Sequence, residues 1–325
     1  MKISNKYLAL LFSAAFTFTS CNDEFLNTQP LGEVSESAVW SDIALSEAFV
    51  VGVYQGFGNG GFDEQMLASL TDEAMFTHPG RGITTITEAR SNPADIGWVN
   101  NTLSWNNMYS RIRAANIAIS KLSDSNYPNP GAQADRLLGE AKFLRAYYSH
   151  QLLRYYGGFP IVDSPFTLDA ETFELPRNTF EECVNFIVSD LDDAAALLVG
   201  KSAIRGRATE VAALALKSRV LLYAASDLHD GPTAKAKSSL LASYPDLDVL
   251  AYPSGNRTER WQKAQAAAKA VLDKTVGNQM GLSAPVSFDE AVQNYNNNAM
   301  ARNGGEREII LGRYFINAKQ ENGGR

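Results

Sequence analysis

Residues 132–156 read AQADRLLGEAKFLRAYYSHQLLRYY, and this stretch decides the fold class. Its apolar residues recur at steps of three or four and therefore share one face of an α-helix: Leu137, Ala141, Leu144, Tyr148, Leu152 and Tyr155. Gly157 and Gly158 end the helix because glycine readily adopts the left-handed conformation that closes one, and Pro160 prevents its resumption. The stretch predicts one long helix over 132–156.

The same periodicity predicts further helices along the chain. Thr179 and Glu182 have the spacing of a capping box at the start of a helix. The apolar face of that helix carries Phe180, Val184, Ile187, Leu191, Ala194 and Leu198. Other helices are predicted over 105–122, 209–225 and 258–272, with a further pair over 42–54 and 64–75. No run shows the strict alternation of a half-buried strand, so we predict a mainly α fold.

These helices fall into hairpins, and two of the hairpins resemble each other. The matches are Ala141 with Ala215 and Arg145 with Arg219 at an offset of 74 residues, and Trp105 with Phe180 and Ile112 with Ile187 at an offset of 75. Tetratricopeptide arrays repeat about every 34 residues. The longer offset therefore predicts a tetratricopeptide-like helical-hairpin solenoid with long inserted loops, and the alternative is an unrelated helical bundle.

The first residues have the features of a bacterial lipoprotein signal. Lys2 and Lys6 form a positively charged start. The uncharged apolar run that follows, Tyr7 to Phe18, is too short to span a bilayer comfortably. Thr19, Ser20 and Cys21 match the end of a lipobox, where the signal is removed and the cysteine is acylated; the alternative is an ordinary signal peptide with an incidental cysteine. The predicted divisions are a signal peptide over 1–20, a lipidated polar tether over 21–41 and a folded domain over 42–325.

Composition excludes several classes of protein. The chain has 325 residues and a formal charge of −7, so it lacks the basic footprint of a nucleic-acid-binding protein. Three histidines are present without a zincin, P-loop or nucleophile-elbow motif, and we predict neither a catalytic site nor a cofactor. Cys183 has no partner for a disulfide once Cys21 is acylated, and its place in a helix pattern predicts burial.

Two weaker patterns favour structural explanations. Gly56, Gly58 and Gly61 satisfy the spacing of a dinucleotide-binding loop, but they follow a helical stretch instead of a strand, which favours a flexible turn. Asp227, His229 and Asp230 are candidate ligands for calcium, which prefers oxygen donors. They follow a helix end, where polar capping residues are common, so we predict no metal site.

The segment Gly139-Glu140-Ala141-Lys142-Phe143-Leu144-Arg145-Ala146-Tyr147-Tyr148 resembles the signature of the SusD/RagB family of nutrient-binding outer-membrane lipoproteins. Gly206-Arg207-Ala208-Thr209 and Cys21-Asn22-Asp23-Glu24-Phe25-Leu26 also resemble that family. The resemblance implies a lipid-anchored protein of the outer membrane that captures an oligosaccharide and passes it to a SusC-like TonB-dependent transporter. It also leaves open peptide cargo, as in the RagB branch, while a helical glycoside hydrolase is the alternative from another class.

Family members are considerably longer than this chain, so the resemblance leads us to expect that the C-terminal part of the family fold is missing. It further implies that loops between helices hold the ligand through aromatic rings and hydrogen-bonding side chains. A sugar suits such a surface because its C–H face stacks on an aromatic ring while its hydroxyls take polar partners.

The long loop before Trp105 is the predicted site, because loops of such length in a compact domain are commonly functional. The predicted ligand-binding residues are Asp72, Arg81, Trp98, Asn100 and Asn101. In the alternative interpretation, Trp98 packs the loop onto the helices and the two asparagines shape a turn.

Overall fold

A computed structural model of the chain describes residues 34–57, 67–77, 82–92, 94–97, 103–166, 174–201, 204–277, 285–299 and 308–314. The helices described there are α1 (Glu36–Ser41), α2 (Ile43–Val53), α3 (Ile83–Thr87), α4 (Trp105–Leu122), α5 (Ala132–Tyr156), α6 (Phe180–Leu198), α7 (Glu210–Ala225), α8 (Gly231–Lys237), α9 (Ser239–Ser243), α10 (Arg257–Gly277) and α11 (Phe288–Ala299). Short 3₁₀ turns lie at Tyr54–Gly56, Leu67–Leu70, Asp227–His229 and Leu247–Val249. Within these ranges the backbone forms no β-sheet, only two isolated bridges.

The long helices pack in the order in which they occur along the chain. Helix α4 packs on α5, α5 on α6, α6 on α7, and α7 on α10, while α2 contacts both α4 and α5. Each helix thus buries its apolar face mainly against its neighbours, which is the arrangement of a solenoid. The predicted helical-hairpin architecture is confirmed.

The strongest sequence signals give correct helix boundaries. Helices α4 and α5 begin and end at the predicted residues. The predicted capping box is present at the start of α6, where the Thr179 amide donates to the Glu182 carboxylate at 2.8 Å and the Glu182 amide donates to the Thr179 hydroxyl at 3.2 Å. Helix α10 extends beyond the predicted 258–272 at both ends.

The helix predicted over 64–75 is wrong. Within its described part, a 3₁₀ turn at Leu67–Leu70 is followed by turns. The Thr71 hydroxyl donates to the Ala68 carbonyl at 2.8 Å and accepts from the Glu73 amide at 3.2 Å. Such side-chain bonds replace the backbone bonds that would continue a helix.

The folded body also begins before residue 42, where the tether was predicted to end. Ser35 caps α1, because its hydroxyl accepts from the Ala38 amide at 3.3 Å. Trp40 is buried, and its ring lies 5.1 Å from that of Phe49 in α2. Residues 36–41 therefore belong to the folded domain. Burial of the apolar surface of Trp40 stabilises the packing of this segment on α2.

The core confirms the prediction for Cys183. Its side chain is fully buried in the main apolar cluster, and its thiol lies 3.4 Å from the Phe159 carbonyl oxygen. Burial raises the pKa of the Cys183 thiol to about 11, so the side chain stays protonated and behaves as a small apolar group.

A buried ion pair joins three helices around the signature arginine. Arg145 of α5 donates to both carboxylate oxygens of Asp190 in α6, each at 2.7 Å. It also donates to Asn116 of α4 and to the Asp163 carbonyl, each at 2.8 Å. Arg219, which matches Arg145 at the offset of 74 residues, is exposed. The repeat thus holds for helix packing but not for this side-chain role.

A second polar cluster ties the N-terminal helices to the loop before α7. Glu140 is fully buried and accepts from Arg136 at 2.7 Å, from Arg207 at 2.6 Å and from the Tyr54 hydroxyl at 3.1 Å. Two guanidinium groups and a hydroxyl thus surround one carboxylate, as a buried acid requires. The signature residues at positions 140 and 145 both hold separate helices together.

Candidate functional site

The predicted ligand-binding residues belong to the part of the chain between residues 72 and 101, which the structure describes only in pieces. Asp72 is described and exposed, whereas Arg81, Trp98, Asn100 and Asn101 lie outside the described residues. The predicted lipidation residue Cys21 lies outside them as well. Gly82 and Gly97 are described, and they adjoin Arg81 and Trp98 in the sequence.

Apolar residues anchor the described parts of this segment. Leu70 and Phe76, on either side of Asp72, pack against the main core. Ile83 is buried in that core, and Ile96 packs against it. Asp72 is thus presented to solvent between two anchors, a placement that suits a ligand-binding loop.

Two glycines bring the ends of the described loop pieces into contact. Gly97 has a φ of +66°, and a Cβ built there would lie 2.3 Å from the Gly82 carbonyl oxygen and 3.1 Å from Cβ of Thr85. Only glycine permits such an approach of one backbone to another. Gly82 follows Arg81 and Gly97 precedes Trp98, so the residues that adjoin two predicted site positions touch each other.

A tight turn leads into Gly97. The Asn92 side-chain oxygen accepts from the amides of Ala94 and Asp95 at 3.0 and 3.1 Å, and the Asp95 carboxylate accepts from the Gly97 amide at 2.8 Å. Side chains of this kind stabilise turns by replacing backbone acceptors. Asp95, which lies in the predicted loop, therefore has a structural task.

An aromatic cluster at the start of α4 was not predicted as part of the site. Trp105 is 37% exposed, and its ring lies 5.2 Å from that of Tyr109 and 5.3 Å from that of Tyr156. The Tyr156 hydroxyl donates to the Leu103 carbonyl at 3.0 Å, and the Tyr109 hydroxyl donates to the Pro160 carbonyl at 2.6 Å. Hydrogen bonds thus fix the two tyrosines, and both rings contact a tryptophan that is partly exposed to solvent.

The sequence contained a signal for this cluster, since Trp105 and Tyr109 are four residues apart and must share a helix face. In the sequence, Trp105 marks the start of a predicted helix and matches Phe180 of the repeat. Phe180, its counterpart in the repeat, is fully buried, so exposure at position 105 could not be inferred from the repeat.

The close approach at Gly97 gives a testable expectation. We expect Gly97→Ala to speed hydrogen–deuterium exchange across 82–97, because its Cβ would overlap the Gly82 carbonyl in addition to the strain of a positive φ. Gly200→Ala is the matched control, since Gly200 has a φ of +65° with nothing within 4 Å of its Cβ position. Equal exchange across 82–97 in both variants and the unchanged protein would contradict this assignment.

Asp227 and Asp230 serve the local structure after α7. Asp230 caps α8 through the Thr233 amide at 3.1 Å and pairs with Arg260. Asp227 pairs with Lys237 at 2.9 Å and with Arg257. These cations and hydrogen bonds hold the pKa values of both carboxyls below their usual range despite partial desolvation. Asp230 thus caps the start of α8, whereas the sequence led us to expect capping residues at the end of α7.

The comparison with known proteins decides the family. A family model described as starch-binding and associating with the outer membrane, the SusD-like model, matches residues 24–222. The chain belongs to the SusD-like family. The matched range includes the whole of α1 to α6, most of α7, the signature of α5 and every predicted ligand-binding position.

Curated relatives agree with this assignment. The chain is 26% identical over 258 residues to a SusD-like protein of Bacteroides ovatus, covering 74% of this chain and 43% of the relative. It is 30% identical over 142 residues to SusD-like protein P38 of Formosa agariphila, covering 43% of this chain and 26% of the relative. The chain thus spans less than half of the length of these SusD-like relatives.

A solved structure supports the fold. The structure of BT4246 superposes with a TM-score of 0.61 at 22% identity, covering 85% of this chain and 51% of that chain. Such a match confirms the helical fold that the SusD-like chain was predicted to have. Among the helices described, none is both long enough and apolar enough to cross a membrane.

Proposed function

We propose that this SusD-like chain is an outer-membrane lipoprotein, anchored at the cell surface through acylated Cys21, that captures an oligosaccharide. It hands the ligand to a SusC-like TonB-dependent transporter. The family description, starch-binding and associating with the outer membrane, supports the capture of a glycan and the location at the outer membrane. The lipobox ending at Cys21 supports the anchor.

The observation that carries the proposed site is the contact between Gly82 and Gly97. It supports convergence of Arg81 and Trp98, the residues that adjoin these glycines in sequence, at one edge of the loop. Asp72 is exposed on the neighbouring described segment. Arg81 and Asp72 provide donors and acceptors for sugar hydroxyls, and Trp98 provides an apolar face for stacking.

The proposed action is binding without bond cleavage. Stacking and hydrogen bonds give moderate affinity, which raises the local concentration of ligand and still permits its release to the transporter. Asn100 and Asn101, two and three residues after Trp98 in the sequence, add amide donors and acceptors to the proposed site. No catalytic residue, cofactor or metal is required for this role.

Replacing the stacking residue tests the site. In calorimetric titrations with plant, host and microbial oligosaccharides, we expect Trp98→Ala to weaken binding by about tenfold or more, equivalent to about 1.4 kcal/mol. Trp261→Ala is the matched control, because Trp261 is 40% exposed on α10, outside the predicted loop. If both variants bind the same oligosaccharide as tightly as the unchanged protein, Trp98 is not part of the site.

A further inference from the structure

A polar groove lies between α4 and residues 160–166, the segment that follows α5. Side chains of α4 fasten this segment by donating to its backbone carbonyls. The bonds run from Tyr109 to Pro160 at 2.6 Å, from Asn116 to Val162 at 2.9 Å and from Arg113 to Phe166 at 3.2 Å. About 250 Å³ remains open between the helix and the segment. Sites for drug-sized ligands measure roughly 300–1,000 Å³, so this groove has room for a single sugar ring.

Two polar side chains in the walls of this groove have hydrogen-bonding groups to spare. Arg113 is exposed, and its one hydrogen bond to a described residue runs from Nη1 to the Phe166 carbonyl. Its Nε and Nη2 atoms thus have no partner in the part of the chain that the structure describes. The side-chain amide of Asn106 is exposed as well and bonds to no described residue. These groups are available to a ligand that replaces water.

Aromatic side chains complete the walls. Phe166 lines the groove and is 38% exposed. Tyr109 also lines it, and the ring of Tyr109 lies 5.2 Å from the partly exposed ring of Trp105. A sugar needs accessible rings beside polar donors, because its C–H face stacks on a ring while its oxygens accept hydrogen bonds. The groove therefore suits carbohydrate better than a purely apolar ligand.

The charge in the groove favours an acidic sugar. Arg113 is the one charged side chain among the described residues of the walls, and it forms no ion pair with any of them. Asp163 belongs to the segment but not to the walls, and its carboxylate accepts from the Ser164 hydroxyl at 3.2 Å. A guanidinium group matches a carboxylate with two parallel hydrogen bonds. A carboxylate on the ligand would thus meet an uncompensated cation.

We propose that the groove between α4 and residues 160–166 binds a uronic acid residue of a glycan. The carboxylate of the sugar pairs with the free nitrogens of Arg113, its hydroxyls bond to the Asn106 amide, and its C–H face lies against Phe166. This inference rests on the proposed function, since it assigns an acidic glycan to a chain that captures oligosaccharides. The groove shares no residue with the predicted site in the loop before Trp105, so the two can be tested separately.

Trisaccharides of galacturonate, mannuronate and guluronate are the probes, each as the free acid and as the methyl ester. In calorimetric titrations of the full chain, we expect at least one free acid to bind saturably. Its methyl ester is expected to bind about tenfold or more weakly, because it carries no charge. We expect Arg113→Gln to weaken binding of the free acid by a similar factor and Arg219→Gln, the matched control, to leave it unchanged. Both arginines are exposed on long helices, but only Arg113 lines the groove.

A second variant blocks the groove without changing its charge. Ser110 and Ser120 are both exposed on α4, and only Ser110 lines the groove. We expect Ser110→Trp to weaken binding of the free acid by about tenfold or more, because the indole fills the space meant for the sugar ring. We expect Ser120→Trp, the matched control, to bind it as tightly as the unchanged protein.

The outcomes separate this proposal from the proposed function. Lack of saturable binding by every free acid, equal binding of acid and methyl ester, or unchanged binding in either Arg113→Gln or Ser110→Trp overturns the uronate site. If neutral oligosaccharides still bind and Trp98→Ala weakens them, the proposed function stands without it. If the protein binds uronate at Arg113 but cleaves the glycan, the proposed function fails and the uronate site stands.

Discussion

Arg145→Met is expected to destabilise the protein by about 3–5 kcal/mol, because it leaves the buried Asp190 carboxylate with only the more distant ammonium of Lys142, at 3.8 Å, in place of two bonds of 2.7 Å. The side chains of Arg145 and Asp190 are only 7% and 4% exposed, so water cannot replace the lost bonds. The same change removes the donors to Asn116 and to the Asp163 carbonyl. Urea unfolding followed by circular dichroism measures the loss as a lower midpoint.

Arg90→Met is the matched control for this prediction. Arg90 forms an ion pair with Glu88 at 2.7 Å, but both side chains are more than half exposed. Exposed pairs contribute about 0–1 kcal/mol, so we expect a small shift of the midpoint. If Arg145→Met were as mild as Arg90→Met, the buried pair would not be the link between α4, α5 and α6.

Acidification is expected to destabilise the protein because His150 takes up a proton more readily in the unfolded state. This is the second of the two large effects that we predict. Burial, with smaller contributions from the positive charges of Arg154 and Arg219, lowers the pKa of His150 to about 3 in the folded chain. An unfolded histidine has a pKa of about 6.5. The unfolded state therefore binds a proton more readily, and stability falls as pH decreases from about 6.5 towards 3, by up to about 1.4 kcal/mol per pH unit.

His150→Gln tests this assignment because glutamine cannot take up the proton. Stability is measured by urea unfolding at several pH values between 8 and 4 for both proteins. We expect the unchanged protein to lose stability more steeply below pH 6.5 than His150→Gln, whatever the difference between them at pH 8. Parallel curves over this range would show that His150 does not control the acid sensitivity.

The helices were predictable where their signals are local. Residues 132–156 contain both the apolar periodicity and the terminating glycines, and Thr179 with Glu182 contains both halves of a capping box. The prediction of a helix over 64–75 was wrong because the Thr71 hydroxyl forms hydrogen bonds with nearby backbone groups. These bonds compete with helix formation, and the spacing of apolar residues does not reveal them. Trp40 fell within the predicted tether because residues 22–41 are mainly polar, and a single tryptophan in such a stretch does not reveal whether it is buried.

The ion-pairing role of the signature residue Arg145 could not be predicted from the sequence. Asp190 is 45 residues from Arg145, and only the packing of α5 on α6 brings the pair together. The offset of the repeat was visible, but it could not show that Arg145 is buried and Arg219 exposed. Pairs of this kind depend on tertiary contacts, and a single sequence offers many equivalent candidates.

The sequence supports a proposal for where the site lies, but not its geometry. The proposed location, the long loop before Trp105, rests on loop length and residue type, together with what the family resemblance implies. The contact between Gly82 and Gly97 depends on a positive φ at Gly97, which residue type permits but does not require. The exposure of Trp105 likewise depends on how α4 meets the end of α5.

We propose that the SusD-like chain captures a glycan and releases it without cleaving it. The most direct measurement is calorimetric titration of the protein, starting at Asn22, against a panel of oligosaccharides and peptides, with chromatographic analysis of each mixture after prolonged incubation. We predict saturable binding of at least one oligosaccharide whose length and linkage remain unchanged. Cleavage of the bound glycan, or binding of peptides alone, would contradict the proposed function.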